Sequence, residues 1–324
     1  MTTFKEIRGT AVRSLSSDPS NPEIGQLWYN NSIGVLKGYQ SIGGAWAAGG
    51  NLATARNVMG GAGTQTAALA FGGNTGTITN VTEEYDGSAW AGGGNMGTTR
   101  ERLGGTGTQT AALGFGGYTT TNVTATEEYD GSAWTGGGNL NTARQNMSSI
   151  GIQTAAVAGG GFAGTFPGTN VTEEYDGSAW SNSNNMNTTR RRLRGSGTLT
   201  AGLGFGGYTT TDSNATEEYD GTSWTSVNNM NTARNTMANS QQGTQTAALA
   251  AGGTTSTAFV AATEEYDGTT WTNTTSMTTA RGELPGAGTQ TAGLAFGGQT
   301  TATSNATEEY TNPTFGTRTI TTTS

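Results

Sequence analysis

Thr108-Gln-Thr-Ala-Ala-Leu-Gly-Phe-Gly-Gly117, followed after a Thr/Asn-rich turn by Ala125-Thr-Glu-Glu-Tyr-Asp-Gly-Ser-Ala-Trp134, is the stretch whose reading decides the fold. It recurs along the chain. Glu-Glu-Tyr begins at residues 83, 127, 173, 217, 264 and 308, and tryptophan returns as Trp46, Trp90, Trp134, Trp180, Trp224 and Trp271. Both series keep a spacing of 44 to 47 residues. Two markers in one phase are the signature of a structural repeat, not of a solvated low-complexity tail.

Within each repeat, Asp-Gly separates a Tyr-bearing run from a Trp-bearing run, at 86–87, 130–131, 176–177, 220–221 and 267–268. Asp-Gly in that place predicts a two-residue type I′ hairpin, which needs positive φ at both central residues. Gly-Gly closes the preceding strand at 72–73, 116–117, 206–207, 252–253 and 297–298. Helical periodicity is absent and proline is scarce, with 5 in 324 residues. About 45 residues hold four short antiparallel strands, which is the blade of an all-β propeller. Composition agrees. Glycine is 54 of 324 residues and hydrophobic residues are 32%. Strands near a propeller axis are crowded and need Gly and Ala, while an outer strand has room for Trp between blades.

The Gly-Gly doublet, the downstream Tyr-Asp, the Trp five positions after Tyr and the spacings Met96–Arg100, Leu140–Arg144, Met186–Arg190 and Met230–Arg234 come in an order that resembles the kelch repeat. The resemblance covers about residues 41–315 and implies a propeller of kelch-like four-stranded blades. Seven blades are expected and six are the alternative. Phe315 lies five residues after Tyr310, as Trp90 does after Tyr85, which leaves Trp46 for a further blade. Gln26–Asn30 and Val35–Tyr39 flank a hairpin signal at Asn30-Asn-Ser-Ile-Gly34 and supply its strands. Residues 1–25 then form an attachment or ring-closing arm. Residues 26–324 form the propeller, with a degenerate first blade at about 26–50, regular repeats at about 51–315 and a closing strand at 316–324. Either Ile7–Leu15 or Arg318–Thr323 is expected to complete the degenerate blade. In the alternative, Trp46 and Phe315 compete for one slot and residues 1–40 stand apart.

Chemistry is narrowed by what is missing. With no His and no Cys, the commonest general base, thiol nucleophiles, disulfides and most zinc or copper sites are excluded. The Glu-Glu pairs do not form an acid/base couple, because neighbours on a strand point to opposite faces. One Glu per repeat is expected to pair with the phased arginine, Arg56, Arg100, Arg144, Arg190, Arg234 or Arg281. The phased tryptophans, Trp46, Trp90, Trp134, Trp180, Trp224 and Trp271, are expected to pack between blades. Gly61-Ala-Gly63 lacks the Lys-Ser/Thr of a phosphate loop, and the Asp-Gly turns lack the dense Asp/Asn loop of a calcium site. No catalytic residue, metal or cofactor is expected. The formal charge of −8 argues against nucleic acid as partner, and no apolar run is long enough to span a membrane. No secretory signal is evident, so the Asn-x-Thr sequons that recur with the repeat, at Asn80, Asn122, Asn170, Asn214 and Asn305, are read as incidental.

Arg190-Arg-Arg-Leu-Arg194 is the one basic cluster, and Phe162-Ala-Gly-Thr-Phe-Pro167 and Thr254–Ala262 are the most variable loops. Arg191, Arg192, Arg194, Phe162 and Phe166 are therefore the candidate binding residues, since loops on a rigid scaffold carry recognition. Ile7-Arg-Gly-Thr, Ser17-Asp-Pro-Ser-Asn-Pro and Gly25-Gln-Leu-Trp-Tyr-Asn30 resemble the start of structural proteins of tailed marine bacteriophages. That resemblance covers about 35 residues. It implies a non-enzymatic virion protein (tail, fibre or capsid surface) made in the host cytoplasm. Trp28 and Tyr29 would then mediate attachment to other virion proteins, and the propeller would meet a host-surface glycan or protein. A carbohydrate-active enzyme and a bacterial interaction module are the alternatives.

Overall fold

The computed structural model describes residues 12–22, 26–41, 44–312 and 315–320. Among them are 28 strands in seven four-stranded sheets and no helix. The second repeat shows how a blade is built. Gly104–Thr108 pairs with Ala111–Phe115, which pairs with Thr126–Tyr129, which pairs with Trp134–Gly136, all antiparallel. Four further blades follow the same meander over residues 60–92, 148–183, 194–227 and 238–274. The sixth is assembled from distant segments. Gly286–Gly288, Ala292–Phe296 and Thr307–Thr311 receive Ala45–Ala48 as their outer strand, with Trp46 opposite Tyr310.

The innermost strands neighbour one another in sequence order, and Gly286–Gly288 packs back on Gly60–Gly63. The ring therefore closes with six blades. The seven sheets expected from the sequence are all present, but the seventh lies in a separate compact unit. The chain divides between residues 44 and 45 and between 311 and 312. Trp46 takes the slot for which it competes with Phe315, because Thr311 pairs with Ala45 and fixes the register there. In the smaller unit, Arg13–Leu15 pairs parallel with Leu27–Asn30, which pairs with Val35–Ser41, which pairs with Phe315–Thr319. Of the two segments offered as alternatives for completing this sheet, the described parts, Arg13–Leu15 and Arg318–Thr319, lie one at each edge.

Glycine at the hub is a steric need. A Cβ on Gly105 would sit 2.8 Å from the Gly61 carbonyl oxygen of the adjacent blade. Between blades lie thin layers of larger residues. Ala62, Leu69 and Phe71 of one blade meet Met96, Leu103, Tyr129 and Trp134 of the next. Each phased tryptophan donates its indole N–H to a threonine hydroxyl of the preceding blade. Trp134 donates to Thr82, Trp180 to Thr126 and Trp271 to Thr216, each at 3.0 Å, and Trp224 to Thr172 at 2.9 Å. Trp46 reaches Thr263 at 3.1 Å, and Trp90 reaches Thr307 across the closure at 3.0 Å. The rings of Trp90, Trp180, Trp224 and Trp271 are buried, while Trp46 and Trp134 are partly exposed, so the two groups differ in how far they are covered. Gly107 has φ +100°, and a Cβ there would lie 2.2 Å from the Ala111 carbonyl oxygen. A Gly107→Ala variant is expected to lose about 1–3 kcal/mol of stability, read as a lower thermal midpoint.

Two expectations need correction. Tyr85 pairs with Trp90, so the Asp-Gly hairpin has a four-residue loop, and only Gly87 has positive φ. The Asp86 carboxylate instead accepts the N–H groups of Ser88 and Ala89, both at 2.8 Å, and so closes the turn without a left-handed aspartate. The sequon asparagines recur for a structural reason. Asn80, Asn170 and Asn214 donate their amides to the carbonyls of Met96, Met186 and Met230 at 2.7, 2.9 and 3.0 Å.

Candidate functional site

The frame that carries the site uses up the carboxylates of the repeats. In the second blade the buried Arg100 meets Glu127 at 3.0 Å and also donates to the carbonyls of Gly116 and Ala125. The pair recurs as Arg56–Glu83, Arg144–Glu173, Arg190–Glu217, Arg234–Glu264 and Arg281–Glu308, at 3.0 to 3.2 Å. Burial pulls the guanidinium pKa of Arg144, Arg190 and Arg234 down to about 10, and the facing glutamate opposes that shift. The second glutamate of each pair points the other way and accepts a tyrosine hydroxyl from the following blade. Tyr129 donates to Glu84 and Tyr175 to Glu128, at 2.5 and 2.6 Å. Tyr85 completes the circle on Glu309 at 2.5 Å. Neighbouring carboxylates thus diverge and are separately engaged.

A glutamine clamp reinforces five of the six seams. Gln109, for example, donates to the Ala68 and Tyr85 carbonyls of the blade before it, at 3.1 and 2.8 Å. Leu199 replaces this glutamine at the remaining seam and packs beside Ile150, Val157 and Tyr219.

Variation gathers at one mouth of the ring. Among the described residues, only Val58, Arg102, Asn146, Arg192, Thr236 and Glu283 have positive φ without being glycine, at 47 to 58°. They are equivalent positions, two residues after each phased arginine. Their backbones form a ring around the axis. Arg102 N–H donates to Val58 C=O at 2.6 Å, Asn146 to Arg102 at 2.9 Å, Arg192 to Asn146 at 2.7 Å, Thr236 to Arg192 at 3.0 Å and Val58 to Glu283 at 2.9 Å. The adjoining Leu284 N–H supplies the sixth link, to Thr236 C=O at 3.4 Å. Left-handed backbone is costly for side-chain-bearing residues, and most of all for Val and Thr. A chain that places glycine at every other such position keeps six different side chains here. Cost and diversity coincide at one ring, which makes it the candidate site.

A small cavity lies in the axial space behind the mouth. It is lined by Gly60, Gly105, Ser149, Arg194, Gln241 and Gly286 and has a volume of about 30 Å³, room for water. Arg194 replaces the small residue with which the other inner strands begin and reaches across to the Leu284 carbonyl at 3.2 Å. Near the other end, Gln242 donates to the Gly107 carbonyl of a distant blade at 2.7 Å.

The loops on this face place the remaining candidates. Gln145 bridges to Phe162 and Arg191 to Tyr208, which brings the hairpins after each Gly-Gly beside the mouth. Arg191, Phe162 and Phe166 come together. The guanidinium carbon of Arg191 lies 4.9 Å from the Phe162 ring centre, 5.3 Å from Phe166 and 5.4 Å from Tyr208. Phe166 is 57% exposed. Burial lowers the Arg191 pKa, and the charge of Arg192 lowers it further. Arg192 stands on the mouth ring. Arg194 departs from the surface role expected of it, because the inner strand it begins directs it into the axial space. Trp28 also needs correction as an attachment residue. It is fully buried and donates to Asp18 at 3.1 Å, while Tyr29 is 41% exposed. Asp18 further accepts from Asn30 at 2.9 Å and pairs with Lys37 at 2.6 Å.

No protein-family model matches the chain, and no curated protein matches it. A solved structure titled "Structure of YjhT" is similar, with a TM-score of 0.68, 11% identity, and coverage of 84% of this chain and 99% of that one. At that identity the likeness shows the fold. The chain has a kelch-like β-propeller fold.

Proposed function

We propose that the chain is a non-enzymatic structural and recognition protein of a phage virion, at the tail, fibre or capsid surface, made in the host cytoplasm. Its propeller binds a partner, protein or host-surface glycan, through the mouth face. The observation that carries the binding role is the coincidence of differing side chains with positive φ at six equivalent positions around the mouth. The virion assignment rests on the N-terminal resemblance. In this reading the smaller sheet, with Tyr29 on its surface, is the part that meets other virion proteins. A glycosidase needs two carboxyl groups converging on one bond, and the repeated glutamates diverge into arginine and tyrosine contacts.

Particles purified from infected host lysates test this reading by mass spectrometry and immunogold labelling. The chain is expected on intact particles, and the purified chain is expected to release no sugar from host polysaccharide. Absence from particles would overturn the virion assignment, and release of reducing sugar would overturn the non-enzymatic one.

A further inference from the structure

Arg191 is held in an unusual way. Three aromatic rings surround its guanidinium within 5.4 Å, and it has no acceptor for its side-chain N–H groups among the described residues. Its Nε–H is buried without a partner, and the four N–H groups of its two terminal nitrogens are unspent among the described residues. Arg192 follows it, also without an ion pair among the described residues. These two cations stand together on a chain with a net charge of −8. Aromatic stacking fixes the plane of a guanidinium and leaves its edge free for bidentate binding of a carboxylate. Phe166 has the guanidinium over its ring and remains 57% exposed, so an apolar ring surface adjoins the cationic edge. Such a site suits a ligand that joins an anionic group to a flat C–H face.

We infer that Arg191, Arg192, Phe162, Phe166 and Tyr208 form a binding site, off the propeller axis, for a carboxylated sugar ring of an acidic polysaccharide. The carboxylate meets the arginine pair and the sugar face lies on Phe166. An extended acidic peptide supplies the charge but not the rigid C–H face that Phe166 would cover. The Phe162–Pro167 loop, which has no counterpart of its length in the other repeats apart from 254–262, then sets specificity. This inference rests on the reading of the mouth face as a recognition surface.

Calorimetric titration of the full chain with alginate oligosaccharides tests it, with neutral dextran and polyglutamate as comparison probes. Alginate is expected to bind and dextran to fail. Phe166→Ala should weaken alginate binding about tenfold, and Arg191→Ala with Arg192→Ala on the order of a hundredfold. Phe166 lies outside the core, so its variant keeps the test decisive if the double variant melts early. Alginate bound no better than dextran would overturn the site. So would polyglutamate bound as tightly as alginate, or a Phe166→Ala variant with unchanged alginate affinity. A chain found on particles that ignores alginate loses this site and keeps its virion role. A chain absent from particles that binds alginate does the reverse.

Discussion

Arg144→Ala is expected to lower the thermal midpoint by roughly 10 °C, from a loss of about 3–5 kcal/mol. The guanidinium is fully buried and lies 3.2 Å from Glu173. It also donates to the carbonyls of Val171 and Ala158, at 2.7 and 3.0 Å. Truncation removes the countercharge and both donors at once. Glu173 then keeps only the N–H groups of Asn141 and Thr142, at 2.6 and 3.2 Å, inside the blade. The Val171 carbonyl keeps only the Gly160 N–H, at 2.9 Å. An isolated buried carboxylate costs far more than the net worth of a pair, because desolvation is no longer offset. A double variant, Arg144→Met with Glu173→Leu, removes both charges and is expected to recover most of the lost stability. Circular dichroism melts of the three chains measure this. An unchanged midpoint for Arg144→Ala would show that the charges are not buried together.

That pairing was open to sequence reasoning because it repeats. A phased arginine and a phased glutamate in a chain with few charges have few other partners, and alternation on a strand assigns one glutamate to each side. The tryptophans were legible in the same way, though their threonine partners were not: the bond from Trp224 to Thr172 or from Trp271 to Thr216 joins residues of neighbouring repeats that no local pattern links. The number of blades was harder to read. Phe315 and Trp46 occupy equivalent places relative to Tyr310, and only the pairing of Thr311 with Ala45 decides between them. That pairing spans most of the chain, and no local signal carries it. The Asp-Gly turn misled for a different reason. The dipeptide suits a type I′ turn, but Ser88 and Ala89 offer N–H groups that the aspartate accepts in place of strained backbone. The mouth ring has a faint sequence signal, since the residue two places after each phased arginine differs in nature from repeat to repeat. Its conformation has none, because Val, Thr and Glu do not advertise positive φ. Arg191 and Phe162 were each legible as unusual residues. Their meeting depends on the bridge between Arg191 and Tyr208, which only the folded hairpins create.

Raising the pH should break the ring at its tyrosines. Tyr85, Tyr129 and Tyr175 are fully buried, and each donates its hydroxyl to a glutamate of the preceding blade. Burial, reinforced by that glutamate, pushes their pKa values up to about 12. Tyr219, Tyr266 and Tyr310 are shifted upward for the same reasons. The unfolded chain loses these protons near pH 10. The folded state therefore binds more protons between the two values, and its stability falls as pH rises. The contribution is whole below about pH 10 and is lost as pH rises through about 12. Six seams share one chemistry, so their losses add around the ring. Deprotonation of one tyrosine places a phenolate against a carboxylate and opens the seam to water. Absorbance at about 295 nm, followed with near-ultraviolet circular dichroism, is expected to show six of the ten tyrosines ionising in a single step with loss of tertiary signal. Tyr129→Phe removes one hydroxyl and leaves Glu84 short of a donor. It is expected to lower the alkaline midpoint and to reduce the cooperative step from six phenolates to five. A smooth titration of all ten near pH 10, with tertiary signal intact, would mean that the hydroxyls do not hold the blades together.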